Sequence, residues 1–275
     1  MMRATIMTNP WLHFFAAALY LVAAIVIGRE LWRGQATAGA KRLALILTLG
    51  GVVLHAALLY TNVRAVGGLN LALAGAFASV AWVVAVLYAL ASLSRPVENL
   101  GVIVLPLTAL TVLIEWWWPD AAGTRLSSAP QTLHILISIL AYSLLCLAAI
   151  QSLMLLAQEN QLRHKHTQGF IRALPPMQTM EQIMFQMIGL GFALLTLTLI
   201  SGVFFSEQVF GTPFALTHHV VLAALGWAVY AVLLIGRWRL GWRGRTAVRW
   251  TLGGFALLVL AYFGSKFVLQ VMLGR

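Results

Sequence analysis

"HHVVLAALGWAVYAVLLIGRWRLGWRGR", His218 to Arg245, runs without a formally charged side chain as far as Gly236 and then places arginine at 237, 239, 243 and 245. A bilayer core about 30 Å thick is crossed by roughly 20 helical residues. The apolar part of the stretch has that length. It ends in the kind of cation cluster that membrane helices keep on their cytoplasmic side. The stretch therefore reads as a transmembrane helix with its basic end inward.

The rest of the chain repeats this pattern. Hydrophobic residues make up 61% of it and charged residues only 9%, so the apolar excess must face lipid rather than water. Further spans are predicted at about 11–29, 43–63, 71–93, 98–118, 131–157, 182–205 and 250–272, with this one at 215–236. The expected fold is all-α: a polytopic integral membrane protein built as a bundle of eight transmembrane helices, in a single transmembrane domain over 1–275. The runs at 131–157 and 182–205 exceed what a bilayer needs and are expected to tilt or protrude. The first run, Trp11 to Gly28, is expected to stay as a span, because no small-residue cleavage site follows it. "QENQLRHKHTQGFIRALPPMQTMEQ", Gln158 to Gln182, is the one long connection, broken by Pro175 and Pro176.

Thirteen of the eighteen Lys and Arg residues fall in the first, third, fifth and seventh connections, against Arg3, Arg64, Arg125 and Arg275 on the other side and Lys266 inside the last helix. The positive-inside rule makes the crowded side cytoplasmic and both termini periplasmic. The charge is thereby an orientation signal, and nucleic acid is not needed to explain it. Trp116 to Trp118 at outer helix ends and Trp238, Trp242 and Trp250 at inner ones fit interfacial belts. The expected location is a bacterial inner membrane, with lipid as the first partner.

Function must come from the few polar residues. Cys146 is a lone cysteine, so disulfide frameworks and CxxC chemistry are excluded. No P-loop, GxSxG, HExxH or paired-carboxylate pattern is present, which argues against an enzyme of hydrolytic or redox type. His13, His134, His218 and His219 fall within about a turn of the outer interface. His55 lies eight residues before Val63, roughly 12 Å below the outer helix end. An ionisable group at that depth is a functional candidate by default. The alternative is a neutral imidazole bonded to a neighbouring helix. His134 reads as a ligand or substrate contact, and Tyr142, eight residues on and on the same face, as a group that orients whatever binds there. His219 points about 100° away from His218, so the two are not expected to serve one site. Lys266 either snorkels outward or pairs with an acidic group, Glu115 among the candidates.

Longer segments now bear on the family. "GWAVYAVLLIGRWRLGWRGRTAVRWTLGGFALLVLAYFGSKFVL" (Gly226–Leu269) and "LPPMQTMEQIMFQMIGLGFALLTLTLISGVFF" (Leu174–Phe205) resemble the heme-handling cytochrome c assembly proteins. So do "LHILISILAYSLLCLAA" (Leu133–Ala149) and "RPVENLGVIVLPLTAL" (Arg95–Leu110), in the family's order. The resemblance implies heme as cofactor, with His55 and His134 matching two of the family's four histidines as iron ligands. His218 is a further candidate and Lys266 a propionate partner. It also implies protein partners in cytochrome c biogenesis or another membrane complex. The family's tryptophan-rich outer segment is replaced here by "VFGTPFALTHHVV" (Val209–Val221). Its two other histidines have no counterpart, Gly236 standing near one position and the Val268–Arg275 tail lacking the other. In this the chain is similar to the shorter YpjD-type branch. Two functions remain open: binding or transfer of heme near the periplasmic face, or a heme-free scaffold or accessory role. A small-solute transporter would need broken helices, for which Pro106, Gly50–Gly51 and Gly253–Gly254 are the only hints.

Overall fold

A computed structural model describes residues 10–34, 37–118, 123–124, 128–164, 173–207 and 217–267. Among them lie eight helices long and apolar enough to cross a membrane. They are α1 (Pro10–Trp32), α2 (Ala38–Val66), α3 (Leu73–Ser92), α4 (Gly101–Trp117), α5 (Ala129–Arg163), α6 (Met177–Phe204), α7 (His218–Leu240) and α8 (Gly244–Val259). The last continues through a π turn, Leu260–Gly264, into Ser265–Phe267. The one extended pairing among the described residues is a two-residue antiparallel bridge, β1 (Leu69–Asn70) with β2 (Gly123–Thr124). The all-α membrane fold is as expected.

Several helices outrun their apolar cores. α5 continues to Arg163, where Arg163 pairs with Glu159 at 3.1 Å, and α8 begins at Gly244. Polar residues sustain a helix in the headgroup region as readily as apolar ones do in lipid. Apolar runs therefore mark where a helix meets hydrocarbon, not where it ends. The ends themselves follow local chemistry. Thr37, Ser128 and Thr217 cap α2, α5 and α7, each side chain accepting a first-turn backbone N–H. Gly67 and Gly241 close α2 and α7 at φ 68° and 66°, a conformation glycine adopts without penalty.

The helices form two compact units, Met1–Leu126 and Ser127–Arg275. In the first, α1 packs against α2 and α4, and α3 against α2 and α4. In the second, α5 packs against α6 and α8, and α7 against α6 and α8. Lipid provides no hydrophobic drive between helices, so close approach over small residues and interhelical hydrogen bonds must hold each unit together. Both devices are present. α1 turns Ala16, Ala17, Ala23 and Ala24 inward around Tyr20. In unit 2 the Trp227 indole donates to Thr196 Oγ1 at 2.8 Å, and Gln151 Nε2 donates to the Met180 carbonyl at 3.2 Å.

The paired glycines are helix crossings rather than breaks. A Cβ on Gly51 would stand 2.8 Å from Tyr20 Cε1, and one on Gly254 2.9 Å from Tyr230 Cε2. Each unit thus seats a fully buried tyrosine ring on a glycine of the adjoining helix. Pro106 lies inside α4 without interrupting it. The broken helices that a transporter would need are absent among the described residues. Gly51→Val is expected to destabilise the protein by about 1–3 kcal/mol, the usual range for overpacking. Gly28→Ala, where a Cβ meets nothing within 4 Å, serves as the neutral control. Unfolding midpoints of the two variants in detergent check this pair.

Candidate functional site

In each unit a group of histidines lies toward the end opposite the arginine cluster, while Asn99, Gln151, Gln158 and Thr251 are buried nearer the arginine-rich ends. In unit 1 the centre is His55, 0% exposed, its two ring nitrogens without a hydrogen-bond partner among the described residues. The Tyr20 ring stands edge-on at 6.2 Å, its hydroxyl likewise buried and unpartnered among those residues. His13 is buried as well and near enough to His55 to interact electrostatically. Further along α2, Asn62 Nδ2 donates to Glu115 Oε1 at 2.7 Å, while Glu115 Oε2 has no hydrogen-bond partner among the described residues.

His13 lies in the first turn of α1, and it is packed inward rather than exposed. The reason lies in the inward face of α1: His13, Ala16, Ala17, Tyr20, Ala23, Ala24 and Ile27 form one helical stripe. That periodicity was available in the sequence.

In unit 2 the centre is His134, half-buried on α5. Its Nδ1 lies 2.8 Å from Ser201 Oγ on α6. The Ser201 hydroxyl donates its only proton to the Thr198 carbonyl, at 3.0 Å. With its proton so placed, Ser201 accepts from a His134 protonated on Nδ1, the tautomer that puts the ring lone pair on Nε2. Ser138 ties the same turn down, donating to the His134 carbonyl at 2.6 Å. A neutral imidazole held in one tautomer by a hydrogen bond on its other nitrogen is the form that ligates a metal.

His134 interacts electrostatically with His219, and His219 with Lys266. The His219 ring lies 6.3 Å from that of Tyr262, which is 6.3 Å from that of Tyr142. Tyr262 belongs to the π turn of α8, a distortion frequent at functional sites. Of the two adjacent histidines, then, His219 and not His218 reaches the His134 cluster; His218 is exposed. The inward stripe of α7 explains it: Ala223, Gly226, Tyr230 and Leu233 extend back to position 219, not 218. Tyr142 faces the cluster with its ring, but its hydroxyl donates to the Leu258 carbonyl at 3.1 Å. It braces α8 just before the π turn. Ser201 and Tyr262 are the members that residue-type reasoning passed over, and His219, rather than His218, is the adjacent histidine that joins them.

The comparisons with known proteins can be set against this geometry. A profile described as Cytochrome C assembly protein matches residues 43–273. The chain belongs to that family. It is 33% identical to the inner membrane protein YpjD of Escherichia coli strain K12 over 245 residues, which cover 86% of this chain and 90% of YpjD. It is 28% identical to the HemX protein of Brevibacillus brevis, over 53% of each chain. It is 33% identical to the cytochrome c biogenesis protein CcsA of Thermosynechococcus vestitus, over 32% of this chain and 27% of CcsA. With eight membrane-crossing helices and a relative of this coverage in the inner membrane, the chain is a multi-pass inner-membrane protein.

Membership sharpens one local feature. Near the position where the family resemblance calls for a histidine before the arginine-rich turn stands Gly236, and a Cβ there would run into the Trp242 indole. The backbone N–H groups of Gly241 and Trp242 both close onto the Gly236 carbonyl. That space is filled by the turn itself. The segment 208–216, which replaces most of the tryptophan-rich motif, and the tail 268–275 lie outside the described residues.

Proposed function

We propose that this protein binds heme in the inner membrane and holds it for delivery. The observation that carries the reading is His134, held 2.8 Å from Ser201 Oγ beside His219 and able to ligate through Nε2 in the tautomer that donates from Nδ1. Bound heme supplies an iron centre that accepts imidazole nitrogen and two carboxylates that need cations or water. The residues present fit those demands. His134 is the first ligand candidate, His219 a second imidazole beside it, and Lys266 the ammonium for a propionate. In unit 1, His55 is a separate ligand candidate, since an imidazole buried without partners is what iron coordination would satisfy. His218, exposed, is the weaker candidate.

The kinship with a cytochrome c biogenesis protein supports the same reading, with other biogenesis proteins as the acceptors. On this view the chain is a binding and delivery module rather than an enzyme. The arginine-rich helix ends face the cytoplasm and both termini the periplasm, so the His134 cluster lies toward the outer face.

A second reading, a heme-free accessory subunit of a membrane complex, is favoured by the Trp242 indole occupying the space beside Gly236. One measurement separates the two. The visible spectrum of the protein purified in mild detergent is taken before and after dithionite, with and without added hemin. A Soret band that shifts on reduction is expected. A folded, monodisperse preparation that stays colourless and takes up no hemin overturns the heme reading in favour of the accessory role.

A further inference from the structure

The two segments that most clearly mark the family, "LPPMQTMEQ" and "GRWRLGWRGR", meet at the arginine-rich end of unit 2, far along the helices from His134. Met177, Gln178, Glu181 and Gln182 from the start of α6 line a cleft of about 520 Å³ with Arg237 and Arg243. That volume suits a small ligand or headgroup. We infer that this cleft binds a phosphate group, and that its source is the headgroup of an anionic phospholipid.

The argument starts from Glu181. Its Oε1 accepts from Arg237 Nη1 at 2.7 Å and faces Arg243 Nε at 3.8 Å, and its Oε2 accepts from the Gly244 N–H at 3.2 Å. The carboxylate is fully engaged, so it organises the cleft rather than recognising anything in it. Arg237 is fixed further: the same Nη1 donates to the Trp242 carbonyl at 3.1 Å, and the guanidinium lies 4.6 Å over the Phe185 ring. Its Nε and Nη2 have no hydrogen-bond partner among the described residues.

A guanidinium held in one orientation with donors to spare is suited to a planar pair of phosphate oxygens. Two guanidinium groups against one carboxylate leave the cleft with a net positive charge. The neighbouring group repeats the ratio, Glu159 lying 3.1 Å from Arg163 and 3.0 Å from Arg245. Gln178 and Gln182, one helical turn apart on α6, add neutral amide donors without cancelling that charge.

The depth of the cleft favours a lipid over a soluble anion. Trp238 and Leu240, on the same helix end, are 77% and 70% exposed. Large apolar side chains beside arginines belong at the level of lipid headgroups. Basic pockets between helices on the cytoplasmic side are where anionic headgroups bind.

The test uses the full-length protein in mild detergent with native mass spectrometry as readout. Phosphatidylglycerol and phosphatidylcholine are offered at equal concentration, with inorganic phosphate as competitor. Arg243→Gln and Gln178→Glu alter exposed positions on the rim, and their folding is checked by retained monodispersity. Wild type is expected to keep one phosphatidylglycerol in preference to phosphatidylcholine, and each variant to keep about fivefold less. Equal retention of the two lipids, or undiminished phosphatidylglycerol in both variants, overturns the site. Binding of inorganic phosphate without any preference for phosphatidylglycerol would overturn the lipid source and assign the cleft to a soluble phosphate. None of these outcomes depends on heme.

Discussion

Alanine at His134 is expected to remove most of the heme that the wild-type protein holds, by tenfold or more in occupancy at limiting hemin, while the protein remains inserted and monodisperse. The expectation rests on what surrounds the imidazole. Ser201 Oγ stands 2.8 Å from Nδ1 and can accept its proton while donating to the Thr198 carbonyl. In that tautomer Nε2 is the basic nitrogen. Ser201→Ala leaves the imidazole in place but frees it to exchange tautomers and rotate. Loss of such an outer hydrogen bond costs about 10–100-fold in metal affinity at well-studied sites. The Ser201 variant should accordingly bind hemin more weakly than wild type but better than His134→Ala. His219→Ala should also weaken binding, since His219 interacts with His134 and approaches Tyr262. His218→Ala should not. Hemin titrations followed at the Soret band order the four variants, and an equal effect of His218→Ala and His219→Ala would sink the assignment of the cluster.

That contrast between neighbours also shows how far the sequence can be read. The eight spans were legible because lipid imposes one requirement, some twenty apolar residues, that local composition reports directly. Helix ends were less so: the last turns of α5 and the first of α8 carry charge and look like loop by hydropathy. The choice of His219 over His218 was recoverable from the stripe through Ala223, Gly226 and Tyr230, as was the burial of His13 from the alanine stripe of α1. Small residues mark the inward face of a membrane helix better than hydrophobicity does, because every face is hydrophobic. What could not be read was the partner of each polar group. Ser201 is 67 residues from His134, and Glu181 is 56 from Arg237. Neither pair has any local signature. The family motifs identified both ends of the second pair without revealing that they touch.

His55→Leu is expected to raise the stability of the heme-free protein. The side chain is 0% exposed, and neither nitrogen has a hydrogen-bond partner among the described residues. A buried polar group left without partners costs about 1–3 kcal/mol, and leucine of similar bulk removes that cost without opening a large void. The Tyr20 ring at 6.2 Å packs equally well against an aliphatic neighbour. The midpoint of unfolding in detergent should therefore rise by an amount corresponding to about 1–3 kcal/mol. A packing histidine predicts the reverse, because removing a hydrogen bond that the imidazole makes would strand its partner. The same variant measured with hemin gives the second half of the result. If His55 is an iron ligand, leucine lowers hemin uptake while raising the stability of the unloaded chain. A residue that weakens the fold and strengthens the site is held in the sequence by function, since packing alone would favour its loss. Unchanged hemin uptake together with a lowered midpoint would instead make His55 a structural residue and leave the ligand assignment to the His134 cluster.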